Sequence, residues 1–438
     1  MCYAIPGKII SINANKVTVE YFGETKTAIN EIADVAIGDY IYAQGGFVID
    51  RIPEKEALEI LSDWKDIFFS LKDIDSEYSQ FNPYKSPETR KIAVIVEKIE
   101  KGASLTENDF EYLLSISNEK ELDALYKAAN YIRHKFQSNS CCVHGIIEIS
   151  NQCASNCEYC GISAHNKHIK RYRMTKTEII EAVDESVNKY GFKALVLQSG
   201  ENCGYALDEL ADIISTIKKR FAVLIFISFG EIGREGLDKL YRAGARGLLL
   251  RFETSSKEIY EKLHPGCSLD NRIEEIRYAK KLGYLIITGA LIGLPGQTPA
   301  DLAKDIMLTR ELGTDMFSFG PFLPHPETPM SEEKTPTLAD NLKVIAVSRF
   351  AAQKDANVVI TTGLETLDAL GRKAGLLSGG SSVMINITPV KYRKLYAIYP
   401  NRAHEDESIE KQIKDTIDLL KHIGRAPTDL NYKTNKER

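Results

Sequence analysis

Val17, Val19 and Tyr21 alternate with Thr18 and Glu20, and Gly23 closes the run. A period of two with a turn residue behind it predicts a strand with one buried face. GDYIYAQGGFVIDRI, residues 38–52, repeats the pattern as a strand pair broken at Gly45–Gly46. Residues 1–52 therefore read as short strands of a small closed, OB-like β-barrel. PEKEALEILSDWKDIFFSLKD then opens with Pro53, favoured in a first helical turn, and carries apolar residues at helical spacing. We place the barrel and its helix in residues 1–75 and a polar linker with two prolines in residues 76–87. Residues 88–136 read as a helical extension, with Ile92, Ile95, Val96 and Ile99 on one face and Thr106 as an N-cap.

After Gly145 the period changes. Eight apolar runs recur: Ile146–Ile149, Leu195–Gln198, Leu224–Ser228, Gly247–Leu250, Leu285–Leu291, Met316–Phe319, Val358–Thr361 and Val383–Asn386. Helical segments separate most of them. This βα repetition predicts an α/β unit over residues 137–400, a parallel sheet closed into a (β/α)8 TIM-type barrel, with an open doubly wound sheet as the competing architecture. Residues 401–438 hold one further helix, Ile409–Ile423, and a polar end expected to fray.

Composition narrows the classes. Hydrophobic residues make up 43% of the 438, enough for a large core, and 56 basic against 61 acidic residues leave a net charge of -5. Neither sign forms a long run, so we expect no nucleic-acid or membrane-surface partner. The start MCYAIPGKII lacks the pattern of a signal peptide, and the longest apolar stretch, Leu285–Leu294, is too short to span a bilayer. A cytoplasmic protein with eight cysteines is expected to use them for metal ligation or catalysis rather than disulfides.

The sharpest chemical feature is SNQCASNCEYCG, which places Cys153, Cys157 and Cys160 within eight residues directly after a predicted strand. Three thiolates without a fourth suit a 4Fe-4S cluster held at three irons, with the fourth iron free for another ligand. A structural zinc site is the alternative, its fourth ligand being His165 or His168. The spacing resembles that of the radical S-adenosylmethionine (SAM) superfamily. That resemblance implies a cluster that cleaves SAM to methionine and a 5′-deoxyadenosyl radical, with an electron donor of ferredoxin or flavodoxin type. It also implies site residues. Tyr159 matches the aromatic position beside adenine, and Gly200 and Glu201, within QSGEN, would take the methionine amine. Glu231, Arg251, Glu253 and Thr254 lie at the next two strand ends, placed for ribose hydroxyls and the SAM carboxylate. GLPGQT, Gly293–Thr298, turns at a fifth.

The likeness extends from about residue 88 to 425. HGIIEISNQC, CEYCG, KRYRM, LVLQSGE, RFET, GLPGQT, GPFLPHPETPM and KYRKLYAIYP resemble the HydE-type maturase of FeFe-hydrogenase, in the biotin synthase and methylornithine synthase group. This implies a small organometallic substrate, iron carrying CO, cyanide and cysteine, in a barrel cavity lined by Gln198, Ser199, Thr361, Thr362 and Tyr392, with Arg173 assisting. Other readings are a radical rearrangement or sulfur insertion on a small organic, amino-acid-derived substrate, and a non-catalytic maturation scaffold. Cys141, Cys142, Cys203 and Cys267 are scattered without ligand spacing, and Asn401–Ile413 holds no cysteine, so no auxiliary cluster is expected.

MCYAIPGKII together with GDYIYAQGGFVIDRIPEKEALEIL resembles the HypC-type chaperone of NiFe-hydrogenase maturation. The resemblance implies that Cys2 carries an iron with cyanide and CO ligands, or that the module docks other maturation proteins. The family usually has a histidine before the Gly-Phe of its last strand; here Gln44 and Gly45 stand there.

Overall fold

The computed structural model describes residues 4–82, 89–352, 354 and 356–429, so Cys2 lies outside the described residues. The alternation around Val17 builds the first of two barrels. β1 (Gly7–Asn13), β2 (Lys16–Tyr21), β3 (Glu24–Ile29), β4 (Tyr40–Gln44) and β5 (Phe47–Ile52) close in the order β1-β2-β3-β5-β4. Val17, Val19 and Tyr21 point inward with Ile9, Ile41 and Val48, leaving Thr18 and Glu20 outside the core. Gly45 and Gly46 take positive φ (56° and 80°), the backbone that a two-residue hairpin between β4 and β5 requires.

α1 (Glu54–Tyr78) follows Pro53 and extends beyond the expected helix end, so residues 76–78, expected in the linker, are helical. Residues 83–88 of that linker lie outside the described residues. α2 (Arg90–Glu100), α3 (Glu107–Ser115) and α4 (Glu119–Gln137) form the helical extension. Thr106 caps α3 through a reciprocal pair with Asp109.

The eight apolar runs become eight parallel strands: β6 (Cys142–Ser150), β7 (Ala194–Ser199), β8 (Leu224–Ser228), β9 (Gly247–Leu249), β10 (Leu285–Thr288), β12 (Met316–Phe317), β14 (Asn357–Ile360) and β15 (Ser382–Asn386). They close fully, β15 pairing with β6, which decides for the barrel over the open sheet. The expected strand Leu285–Leu291 is split at Gly289, where the carbonyl of Ser318 would lie 2.3 Å from any added Cβ. The remainder, β11 (Leu291–Ile292), pairs with β13 (Gly320–Pro321) as a separate two-stranded sheet.

β6 shows how the barrel is divided. Val143, Ile147 and Ile149 face the surrounding helices, whereas Cys142, His144, Ile146 and Glu148 point into the barrel, in order from its N-terminal floor to its C-terminal mouth. The small barrel sits on the floor. Tyr40, Tyr42, Phe47 and Ile49 form one apolar cluster with Leu224, Phe226, Ile287 and Met316 of the larger barrel. The Gly45 turn presses so close that an added Cβ would stand 2.8 Å from Leu285.

The segment after the last helix, Ile409–His422, does not fray where it is described. Arg425, Ala426 and Thr428 are fully buried, and Asp429 Oδ2 accepts hydrogen bonds from Gln44 Nε2 (3.0 Å) and the Gly45 amide (3.1 Å). Arg425 and Arg133 of α4 clasp Asp75 of α1, tying α1 and the segment after the last helix to the helical extension. Among the described residues no helix is long and apolar enough to cross a membrane.

Candidate functional site at the mouth of the larger barrel

β6 ends at Ser150, and the loop that follows brings the three cysteines over the barrel mouth. Its backbone is pinned from several sides. The Ala154 amide donates to Glu201 O (2.9 Å), Glu158 N to Leu263 O (3.0 Å) and Gly161 N to Ile398 O (3.0 Å). The Arg171 guanidinium, from the KRYRM run, donates to the carbonyls of Asn151, Ile162, Ser163 and Asn166 at 2.6–3.1 Å. A five-donor fork suits such a carbonyl ring. Gly200 is what lets the next loop close on this one: a Cβ there would stand 2.3 Å from Gln152 O and 2.6 Å from Cys153 Cβ.

Cys153, Cys157 and Cys160, all half-buried, line a cavity of about 310 Å³. Tyr159, Gln198, Ser199, Gly200, Glu201, Arg251, Glu253, Thr361 and Thr362 share its wall. Tyr159 is fixed edge-on against His264 and Phe322, with its hydroxyl 3.2 Å from His264 Nε2. Glu253 holds a left-handed backbone (φ 65°), a costly conformation for any residue other than glycine and one concentrated at functional sites. Its Oε2, 3.2 Å from Arg251, makes no hydrogen bond, and neither does the buried Thr361 Oγ1.

Four expected residues fall elsewhere. Thr254 is buried away from the cavity, its Oγ1 accepting from the Ser256 amide (3.1 Å). Tyr392 stacks on Tyr172 (4.7 Å) and donates to Glu178 Oε1 (2.6 Å), outside the cavity. Arg173 lies over the Tyr205 ring (4.0 Å) and pairs with Glu209, also outside. Glu231 turns to Arg272 (2.5 Å), and Gly230 forms the wall instead. For Tyr392, Arg173 and Glu231 a local aromatic or charged partner takes the side chain away from the cavity.

Several cavity residues carried no sequence signal. Arg272 bridges Glu231 and Glu201 (3.3 Å) from within an ordinary amphipathic helix, Leu269–Leu282. Glu148 pairs with Arg402, both buried, and Arg402 also donates to Tyr396 O (2.5 Å) while its Nε has no partner. Cys267 and His264 complete the wall near the cysteine loop.

The donor chemistry favours a cluster. Burial pushes the Cys160 thiol up to about 12 and raises Cys157 well above its ordinary value, with the neighbouring cysteines adding to both. Such thiols become thiolates when a metal takes the proton's place. Among the described residues no three His, Cys, Asp or Glu side chains converge on a single ion, as the zinc alternative would need, and His165 turns to Glu158 (3.5 Å).

Comparison with known proteins decides the family. The Radical SAM superfamily profile matches residues 147–309 and the HupF/HypC family profile residues 1–64. The "[FeFe] hydrogenase maturase subunit HydE" of Thermotoga maritima is 39% identical over 76% of this chain and 94% of its own length. The chain belongs to the radical SAM superfamily. The 3-methylornithine synthase of Methanosarcina acetivorans is 30% identical over 76% of this radical SAM chain and 93% of its own. The crystal structure of methylornithine synthase (PylB) superposes with a TM-score of 0.66 at 27% identity, covering 76% and 97% of the two chains. This is an enzyme, and its family implies a 4Fe-4S cluster and SAM. The residues present fit both: three thiols on one wall, a glycine cradle beside them, and buried polar atoms of Glu253, Thr361 and Arg402 left open to a polar ligand.

Proposed function

We propose that this radical SAM enzyme works in the cytoplasm on the assembly of a hydrogenase-type iron centre, with a small iron species bearing CO and cyanide as its substrate. The observation that carries the reading is the single cavity in which the three cysteines, the SGE loop and the open polar atoms meet. Cys153, Cys157 and Cys160 would hold the cluster. When bound, the cluster and SAM supply a 5′-deoxyadenosyl radical from one-electron cleavage of SAM. Gly200 brings backbone against the cysteine loop, and Glu201, already ordered by Ser155 (2.8 Å) and Arg272, is placed for an amino group. Arg251 is placed for a carboxylate, Glu253 and Thr361 for hydroxyls, and Tyr159 for an adenine ring. Gln198, Ser199 and Thr362 complete the wall. Apolar groups deeper in the barrel, Ile146, Leu249 and Met384, exclude water below the reacting atoms. The HupF/HypC-family domain would carry iron at Cys2 or dock maturation proteins, and a ferredoxin- or flavodoxin-type protein would reduce the cluster.

A second reading rests on the Glu148–Arg402 pair, whose two charges suit the ends of an amino acid, and on the likeness to 3-methylornithine synthase. Here the substrate would be a small organic amine acid.

Anaerobically reconstituted protein, reduced with dithionite and given SAM, should form 5′-deoxyadenosine, and Cys157→Ala should form none. An iron complex carrying CO, cyanide and cysteine should raise the rate more than a panel of free amino acids does. Stimulation by an amino acid alone favours the second reading. An intact, reducible cluster with no SAM cleavage under any condition leaves a non-catalytic scaffold.

A further inference from the structure

Behind the mouth stands a buried carboxylate with no cation beside it. Asp305 lies in the middle of the helix Pro299–Glu311, is 0% exposed, and among the described residues pairs with no Lys, Arg or His. Taking a lone carboxylate out of water is costly, and an apolar residue at this helix position would avoid the cost. Burial pushes its pKa up to about 7, against hydrogen bonds from Ser255 and Gln297 that work the other way.

What the carboxylate holds is two loops. Oδ1 accepts from the Ser255 amide (2.5 Å) and Oδ2 from Gln297 Nε2 (3.2 Å). Gln297 must face it with the NH2, because its carbonyl is already taken. Oε1 accepts from the Gly293 amide (2.8 Å) and the Leu294 amide (3.3 Å), while Nε2 also donates to Leu291 O (3.0 Å). One side-chain amide thus fastens β11 and the turn after it to Asp305.

Both loops end in the wall of the cavity. Ser255 follows Glu253, whose left-handed backbone is held on its other side by Gly289 O (3.2 Å) and the Leu291 amide (2.9 Å). A residue other than glycine keeps that conformation only where its surroundings over-determine it. Leu291 and Leu294 form an apolar cluster with Phe322, and Tyr159 packs against it.

We propose that Asp305 is a positioning residue for the nucleoside half of SAM: through Ser255 it sets the Glu253 carboxylate, and through Gln297 it sets the Leu291–Leu294 wall against Tyr159. The amino end of the methionine half falls to the Gly200–Glu201 loop, where Ser155 and Arg272 order Glu201 and Asp305 makes no contact. This role rests on the placement of adenine and ribose proposed above.

Equilibrium dialysis of full-length, cluster-loaded protein with 5′-deoxyadenosine and, separately, with methionine tests it. Asp305→Asn keeps the size but sets an NH2 against either the Ser255 amide or the Gln297 NH2, so one loop loses its acceptor. 5′-Deoxyadenosine should bind about tenfold more weakly, the equivalent of one lost hydrogen bond, with methionine affinity unchanged. KM for SAM should rise more than kcat falls. Adding Gln297→Glu to Asp305→Asn restores a donor facing an acceptor and should return 5′-deoxyadenosine affinity to within about threefold of wild type. The proposal is overturned if Asp305→Asn binds 5′-deoxyadenosine normally, or weakens both ligands equally along with cluster iron. A double variant still about tenfold weak overturns it too, and decides the matter if the single variant does not fold. Glu253→Gln should also weaken 5′-deoxyadenosine. Unchanged affinity there would overturn the placement of the nucleoside, whereas normal affinity in Asp305→Asn beside a weakened Glu253→Gln would overturn the positioning role alone.

Discussion

The two ends of the larger barrel are made from the same eight strands and could hardly be treated more differently. At the mouth stand paired charges, Glu201–Arg272, Arg251–Glu253 and Glu148–Arg402, around a cavity open to a ligand. At the floor, an apolar cluster is sealed by a second barrel, and the small cavity between them is lined by Cys142, His144 and Gln44 together with Asp315, Asn357 and Asp429. Barrel enzymes place chemistry at the strand C-termini and stability at the N-termini. Charges at the mouth are tolerated because each is paired or open to a ligand, and at the floor the Asp429 carboxylate is held by Gln44 and the Gly45 amide.

The largest effect should come from the hub beside the floor. Asp75 is fully buried and clasped by Arg133 (2.7 and 2.8 Å) and Arg425 (2.8 Å). Arg133→Met leaves the carboxylate with part of its compensation gone, and about 3–5 kcal/mol of stability should be lost, read as a fall in the unfolding midpoint. Burial pushes the Asp75 carboxyl up, but the two guanidiniums outweigh it and hold it well below the usual carboxylate range. A depressed folded pKa stabilises the fold above the unfolded value of about 3.9, and that contribution disappears as pH falls through the folded one. Wild type should therefore lose this stability only in acid, below about pH 4, and Asp75→Asn should show a flatter profile there.

At the mouth, Arg402→Met strands Glu148 beside the substrate space. We expect a smaller global loss, about 2–3 kcal/mol, since open cavity lets the carboxylate take up a proton or water. Substrate-stimulated 5′-deoxyadenosine formation should fall about 100-fold, roughly the 2.7 kcal/mol of one such buried contact. Basal SAM cleavage falling equally would place Arg402 with SAM rather than with the substrate.

Gly200→Ala tests the cradle alone. Its Cβ would meet Gln152 O at 2.3 Å, and backbone there has no flexible side chain to yield. Overpacking of this kind costs about 1–3 kcal/mol, and here the cysteine loop would absorb it. Cluster iron per chain and SAM affinity should both drop while the unfolding midpoint moves little. Full cluster loading would show that the loop relaxes.

How much of this was legible divides along the same line. The βα rhythm and the cysteine spacing are local, and both led to the correct barrel and to the loop that opens its mouth. Glu148 and Arg402 are 254 residues apart, and Arg402 sits in what reads as a polar tail, so nothing local joins them. Arg272 hides in a helix whose pattern is satisfied without it. Tyr392 was placed by resemblance, which supplies a position but not the direction a ring takes when Tyr172 offers a stacking partner. Cys142 and His144 follow an i, i+2 pattern that any strand shows; only the barrel beneath them makes their shared face an enclosed one.

The smallest effect asks what holds the two barrels together. Arg246, just before β9, donates through Nε to both Glu31 oxygens (2.7 and 2.8 Å) across the domain junction. Those side chains keep 13% and 21% of their exposure, so water screens the pair and its worth should be about 0.5–1 kcal/mol. Glu31→Gln should lower the unfolding midpoint slightly at low salt, and the difference should vanish at about 0.5 M, where the Debye length is shorter than the junction. The apolar cluster beneath Tyr40 and Phe47 gains from the same salt if anything. A loss of several kcal/mol, or separation of the barrels in Glu31→Gln, would mean that charge rather than buried apolar surface joins them.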